Sequence, residues 1–114
     1  MVRKENDMQV EVRKEMRGGK GEVLLRHLEK DGLPENGRLF AKLTLAPGCS
    51  IGPHTHTGEA EVFYFAHGEG VVTDDGVAIP VKAGDSMTTL DGHAHNVENT
   101  GTEDLVIIAT IIKS

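Results

Sequence analysis

The sequence predicts an all-β fold, a sandwich or barrel of short strands, and three features of its 114 residues carry that prediction. Its apolar stretches are short and alternate with polar residues at a period of two, as in half-buried strands. Turn formers recur between them, with 14 Gly and 4 Pro against only three Phe, one Tyr and no Trp. No segment holds an apolar period near 3.6 for long enough to predict a helix.

The elements follow in order. Met8-Gln9-Val10-Glu11-Val12 alternates and predicts a first strand, which Arg17-Gly18-Gly19-Lys20-Gly21 breaks. Residues 1–20 carry dense mixed charge and read as an N-terminal arm or edge strand, suited to pairing with a partner subunit; residues 21–114 read as the barrel domain. Glu22 to Leu28 predicts a second strand, and Lys30 to Gly37, with Gly32, Pro34 and Asn36, a loop. Arg38 to Leu45 places Leu39, Ala41, Leu43 and Leu45 on one face before Pro47-Gly48 turns the chain. A segment around His54 to His56 precedes a strong strand from Glu61 to Ala66, then a turn at Gly68-Glu69-Gly70. Val71–Thr73 and Val77–Val81 flank Asp74-Asp75-Gly76, a hairpin turn in which Gly accepts positive φ. After a turn at Ala83-Gly84-Asp85, strands are expected at Ser86–Leu90, His95–Glu98 and Leu105–Ile112.

Composition narrows the function. Acidic residues outnumber basic ones, 18 to 12, for a formal charge of −6, and there is no basic block. That balance argues against nucleic acid or an anionic membrane as partner. Leu105 to Ile112 is the longest apolar run and is broken by Thr110. It is far short of the roughly 20 residues of a membrane span. The single cysteine, Cys49, excludes an intrachain disulfide and fits a reducing compartment. The charged start of the chain has no apolar stretch behind it and does not match a secretory signal. A soluble cytoplasmic protein is expected.

Four of the six histidines fall in two pairs, His54-Thr55-His56 and His93-Ala94-His95. Residues i and i+2 of a strand point to one face, so an H-x-H pair aims two imidazoles at one place, as a shared metal ion requires. Glu61, at the start of the next strong strand, is placed to bring a carboxylate to the same ion, and His95 to complete the set. Three imidazoles and a carboxylate suit Mn, Fe, Ni or Zn.

The wider spacing resembles the two signature motifs of the cupin family. Gly48, His54, His56, Glu61 and Gly68 match every fixed position of the first, G-x5-H-x-H-x(3,4)-E-x6-G. Gly84, Gly92, His95 and Asn99 match the second, G-x5-P-x-G-x2-H-x3-N, with Leu90 where the family has Pro. The chain is most similar to small single-domain bacterial cupins of oxalate decarboxylase-like type. This resemblance implies a double-stranded β-helix, or jelly-roll barrel, and a homodimer. It implies a divalent metal, Mn or Fe ahead of Zn or Ni, held by His54, His56, Glu61 and His95, with Asn99 a structural cap.

Other residues lie near that set. Glu59, in Thr57-Gly58-Glu59-Ala60, reads as a loop residue and the weaker rival of Glu61. Phe63 and Phe65 share the parity of Glu61 and should wall an apolar pocket, with Met87 beside them. His93 reads first as a solvent-facing loop histidine, with a base behind the ligands or a residue at the pocket mouth as the alternative. Tyr64, of opposite parity, should pack outside, at an interface. His67 and His27 read as surface or structural residues, Asp74 and Asp75 as solvated turn residues, and Cys49 shows no sign of a nucleophile.

The expected ligand is a small molecule. The first functional expectation is a metalloenzyme acting on a small carboxylate or enolisable acid, by decarboxylation, oxidation with dioxygen, or lyase action. The second is a non-catalytic metal or small-ligand binder. The third is an isomerase or cyclase of sugar or polyketide type, for which Arg38 and Lys42 are weak phosphate candidates.

Overall fold

The computed structural model describes residues 1–114. Ten strands form: β1 (Val10–Lys14), β2 (Glu22–Glu29), β3 (Gly37–Leu45), β4 (Ser50–Thr55), β5 (Glu59–His67), β6 (Glu69–Asp74), β7 (Val77–Lys82), β8 (Ser86–Thr89), β9 (Ala94–Glu98) and β10 (Leu105–Lys113). No α-helix is present, only single 3-10 turns at Glu5–Asp7 and Met16–Gly18. No helix is long and apolar enough to cross a membrane.

The strands make two antiparallel sheets, six-stranded in the order β1-β2-β3-β10-β5-β8 and four-stranded in the order β4-β9-β6-β7. Alternation along each strand decides what lies between them. Ala41, Leu43 and Leu45 of β3, Ile107 and Ala109 of β10, and Phe63 and Phe65 of β5 are all buried. They meet Val72, Val97 and Ile51 of the smaller sheet in one core cluster of 15 residues. Apolar burial of this kind is the main stabilising contribution. The opposite parity of the large sheet leaves Val12, Leu24, Phe40, Tyr64 and Ile112 exposed on its outer face.

Three turns differ from expectation. The first strand starts at Val10, because Glu5–Asp7 closes a 3-10 turn onto Met8. β1 then pairs with β2 of the same chain, Val12 opposite Leu24. The break after β5 is a single residue, Gly68 (φ +83), and Glu69 already lies in β6. A side chain at Gly68 would lie 2.4 Å from the Asp104 carbonyl, so only glycine allows so abrupt a turn. β8 stops at Thr89, leaving Leu90 exposed.

A fourth difference sets up the site. In the β4–β9 ladder Ile51 lies opposite Val97 and His54 opposite His95, so β4 spends three residues where β9 spends two. This bulge at Gly52-Pro53 resets the alternation. Ile51 and His54, of opposite parity, therefore both face inward.

Candidate metal centre

The four residues come from both sheets. His54 lies in β4 and His56 one residue past its end, His95 lies in β9, and Glu61 projects from β5 across the barrel. His56, Glu61 and His95 are buried, and His54 is half-buried. One ligand atom from each of the four lies within 4.8 Å of the other three.

The outer ring nitrogens explain how the inner ones are aimed. His54 Nδ1–H donates to the Gly52 carbonyl, 2.9 Å away, which the bulge turns toward it. His56 Nδ1–H donates to Glu59 Oε2 at 2.9 Å. His95 Nδ1 pairs with Thr89 Oγ1 at 2.7 Å, and Thr89 stands directly opposite Glu61 in the β5–β8 ladder. Phe63 stacks on the His95 ring at 5.1 Å and an interplanar angle of 22°. With every Nδ1 engaged, all three Nε2 atoms converge. His56 Nε2 lies 3.0 Å and His54 Nε2 3.2 Å from His95 Nε2. Glu61 Oε1 lies 3.0 Å from His56 Nε2 and 3.1 Å from His95 Nε2.

This donor set fits a divalent cation. Neutral His54 and His56, protonated on Nδ1, turn lone pairs toward one another and toward a carboxylate oxygen. Such a group suits a positive charge at its centre. The spacing agrees: adjacent ligands of an octahedral ion with bonds of about 2.1 Å lie roughly 3.0 Å apart, and those of a tetrahedral ion roughly 3.4 Å. The separations of 3.0–3.2 Å match the octahedral edge. Burial holds the His54 imidazole below the usual histidine range against the opposing pull of the Gly52 carbonyl, which favours the neutral, ligating form.

Glu59 is not a loop residue. It opens β5 opposite Lys113 of β10, and its carboxylate accepts from both His56 and Arg38. The Arg38 guanidinium, 2.8 Å away through two bonds, holds the Glu59 carboxyl below the ordinary carboxylate range. Sequence spacing set Glu59 aside as a rival ligand and missed its role as the residue that orients His56.

A cavity of about 80 Å³ opens beside His54, His56 and Glu61. Leu25, Leu39, Leu43, Ile51, Phe63 and Ile111 form its apolar wall, and Arg13, Arg17 and Arg38 its basic rim. Phe63 lines the cavity, whereas Phe65 and Met87 are buried in the core without reaching it. His93 does not line it either. It follows the turn at Asp91-Gly92, where Gly92 has φ +87, and its exposed ring pairs with Asp75 on the outside. Asp75 also accepts from the Ala94 N–H, tying the β6–β7 turn to β9.

The remaining candidates are structural. Asn99 Nδ2 donates to the carbonyls of Leu45 and Glu103, both at 2.8 Å, and its Oδ1 accepts from Gly101 N–H. His67 is exposed at the end of β5 and His27 is buried under β1. Cys49 is free and packs against the core.

Comparison with known proteins agrees with this fold. The family model for the cupin domain matches residues 41–111. An oxalate-binding protein of Thermotoga maritima is 46% identical over 113 residues, which cover 98% of this chain and 93% of that one. A crystal structure from T. maritima, described as a predicted oxalate decarboxylase, matches with a TM-score of 0.94 at 45% identity over 100% of both chains. A cupin domain of Schizosaccharomyces pombe, 14% identical, has a TM-score of 0.75 over 93% of this chain and 70% of its own and shares the fold alone. From β3 to β10, through both histidine pairs, the chain belongs to the cupin family.

Proposed function

We propose that this chain binds a small chelating carboxylate, with oxalate the first candidate, at a divalent transition metal held by His54, His56, Glu61 and His95. The observation that carries the reading is the convergence of three Nε2 atoms and Glu61 Oε1 with all three Nδ1 atoms engaged elsewhere. Four protein ligands leave two positions of a six-coordinate ion for two oxygens of one ligand, which favours Mn or Fe over Zn, with Ni a further candidate. When bound, the metal supplies a Lewis acid for carboxylate oxygen. The protein's own residues do the rest. Glu59 and Thr89 fix the imidazoles, and Phe63 and its apolar neighbours limit ligand size. A cavity of about 80 Å³ takes only a few non-hydrogen atoms. The T. maritima relative named for oxalate binding supports the ligand class.

The enzyme reading comes second. It is supported by the relative described as a predicted oxalate decarboxylase. Against it, the titratable groups of the cavity other than Arg17 are already engaged: His54, His56 and Glu61 in the centre, Arg13 by Glu11 and Arg38 by Glu59. The cavity of about 80 Å³ leaves little room for a sugar phosphate, which disfavours the isomerase reading. A homodimer is part of the proposal, formed through the outer apolar face around Phe40 and Tyr64; light scattering on purified protein tests it. So is a soluble, cytoplasmic setting, in keeping with the acidic charge and single cysteine.

Calorimetric titration of oxalate into Mn-loaded protein, with mass spectrometry of the mixture, separates the readings. Saturable binding without product supports the binder; carbon dioxide or formate moves the assignment to a decarboxylase or oxidase. No binding of oxalate or any small carboxylate to metal-loaded protein contradicts both.

A further inference from the structure

The rim of the cavity carries three arginines, and they differ in one respect. Arg13 is held by Glu11, and Arg38 by both oxygens of Glu59. Arg17 lines the same cavity and makes no side-chain hydrogen bond or ion pair. It is the rim cation with its charge uncommitted.

Its backbone is equally unusual. Arg17 has φ 55° and ψ 29°, and Glu15 two residues earlier has φ 47°, both in the left-handed region that L residues other than Asn and Asp seldom occupy. Such strain persists only where the surroundings over-determine it. Here they do. A side chain at Gly52 would lie 2.0 Å from the Arg17 carbonyl oxygen, and one at Gly19 would lie 2.1 Å from that of Ser50. The 3-10 turn Met16–Gly18 is therefore pressed backbone to backbone on β4, beside the bulge that aims His54. Lys20 and Ser50 add two hydrogen bonds of 2.9 Å across the same joint.

Charge counting gives the strained arginine a purpose. Glu61 cancels half of a divalent ion's charge, and the Arg13–Glu11 and Arg38–Glu59 pairs are neutral. What remains is one positive charge at the centre and one at Arg17, which matches a dianion. A guanidinium is also the side chain best shaped to take a carboxylate through two parallel N–H bonds.

We propose that Arg17 is the specificity residue of this site, reaching in from the N-terminal arm to hold the outward oxygens of a small dicarboxylate whose inner oxygens face His54, His56, Glu61 and His95. The inference rests on the carboxylate reading above and adds to it the residue that selects two carboxylates over one. It also gives residues 10–21 a function: they carry a cation to the barrel mouth.

The test compares Mn-loaded wild type with Arg17→Gln and Arg17→Gly, titrated calorimetrically with oxalate and with acetate. Metal content and melting temperature are recorded for each protein. Oxalate affinity should fall about tenfold to hundredfold in both variants, the loss of one charge-assisted contact. Acetate affinity should change less than about threefold, and metal content should not change. Arg17→Gly should melt no lower than wild type, because glycine accepts φ 55° without strain. A residue with only a structural role would instead lower the melting temperature and leave the oxalate-to-acetate ratio alone. Oxalate binding within twofold of wild type in both variants would overturn the role of Arg17 while leaving the carboxylate reading intact. Failure of wild type to bind either carboxylate would remove the carboxylate reading, and this inference with it.

Discussion

His54-Thr55-His56 and His93-Ala94-His95 have the same pattern and lie side by side in one antiparallel ladder, yet only three of the four imidazoles reach the centre. His54 stands opposite His95, and His56 N–H donates to the His93 carbonyl. Regular pleating would then put all four rings on one face. The difference lies in the chain around each pair. The first follows a bulge that brings His54 inward, and past the end of β4 His56 is caught by Glu59 from the neighbouring sheet. The second emerges from a tight turn at Gly92, so His93 leaves the pleat and Asp75 holds it outside. An H-x-H pattern marks a region; what the outer nitrogen meets decides which ring faces a shared ion.

The sharpest way to break this comparison is to remove His56, His95 and His93 one at a time. His56→Ala and His95→Ala should each weaken Mn binding by at least about 100-fold, since one ligand in four is lost and an uncompensated group is left behind. His93→Ala should change it by less than about twofold. Competition titration with a fluorescent chelator measures all three. A His93→Ala loss equal to that of His95→Ala would return His93 to the site.

A smaller effect is expected at the residues that hold the rings. Glu59→Gln keeps an acceptor for His56 Nδ1–H and removes the charge, so metal affinity should drop about tenfold, in the lower part of the range for such supporting contacts. Thr89→Val should act similarly on His95. If Glu59→Gln falls as far as His56→Ala, Glu59 is itself a ligand.

Acidity should sharpen the contrast further. Protons and metal compete for the three inner nitrogens, so bound Mn should be released progressively below about pH 6.5 and be gone near pH 4. Full occupancy at pH 4 would contradict a three-histidine centre. In metal-free protein His54 and His93 have opposite signs. Burial lowers the His54 value, so the unfolded chain takes up that proton first and folding stability declines as pH drops below about 6.5. Asp75 raises the His93 value, chiefly through its hydrogen bond. That pair's contribution is fully present below about pH 6.5 and is lost as pH rises through the raised folded value. The exposed pair gives the smallest effect. Asp75→Asn should lower the urea midpoint more at pH 6 than at pH 8.5; a larger difference at pH 8.5 would reverse the assignment.

Much of this was legible in the residues. Alternation placed the inward faces of β3 and β5, and glycine-rich turns placed most of the breaks. Motif spacing selected Glu61 over Glu59, and the structure gathers the same four side chains that the spacing named. What was not legible depends on neighbours distant in sequence. Gly58 in front of Glu59 suggests a loop, but pairing with Lys113 draws Glu59 into β5. Phe65 has the parity of Phe63, yet lies deeper and meets only core. The bulge at Gly52-Pro53 is visible only against β9, and the approach of Arg17 to the cavity only once β1 has paired with β2 and Gly19 has met β4.

The most direct test of the account is elemental analysis of tag-free protein, prepared without chelators or a nickel column, beside a His54→Ala/His56→Ala double variant. The account predicts about one divalent transition metal per chain, chiefly Mn or Fe, in the first protein and almost none in the second. Equal metal in both, or none in either with no thermal stabilisation on adding Mn, Fe, Zn or Ni, would contradict it.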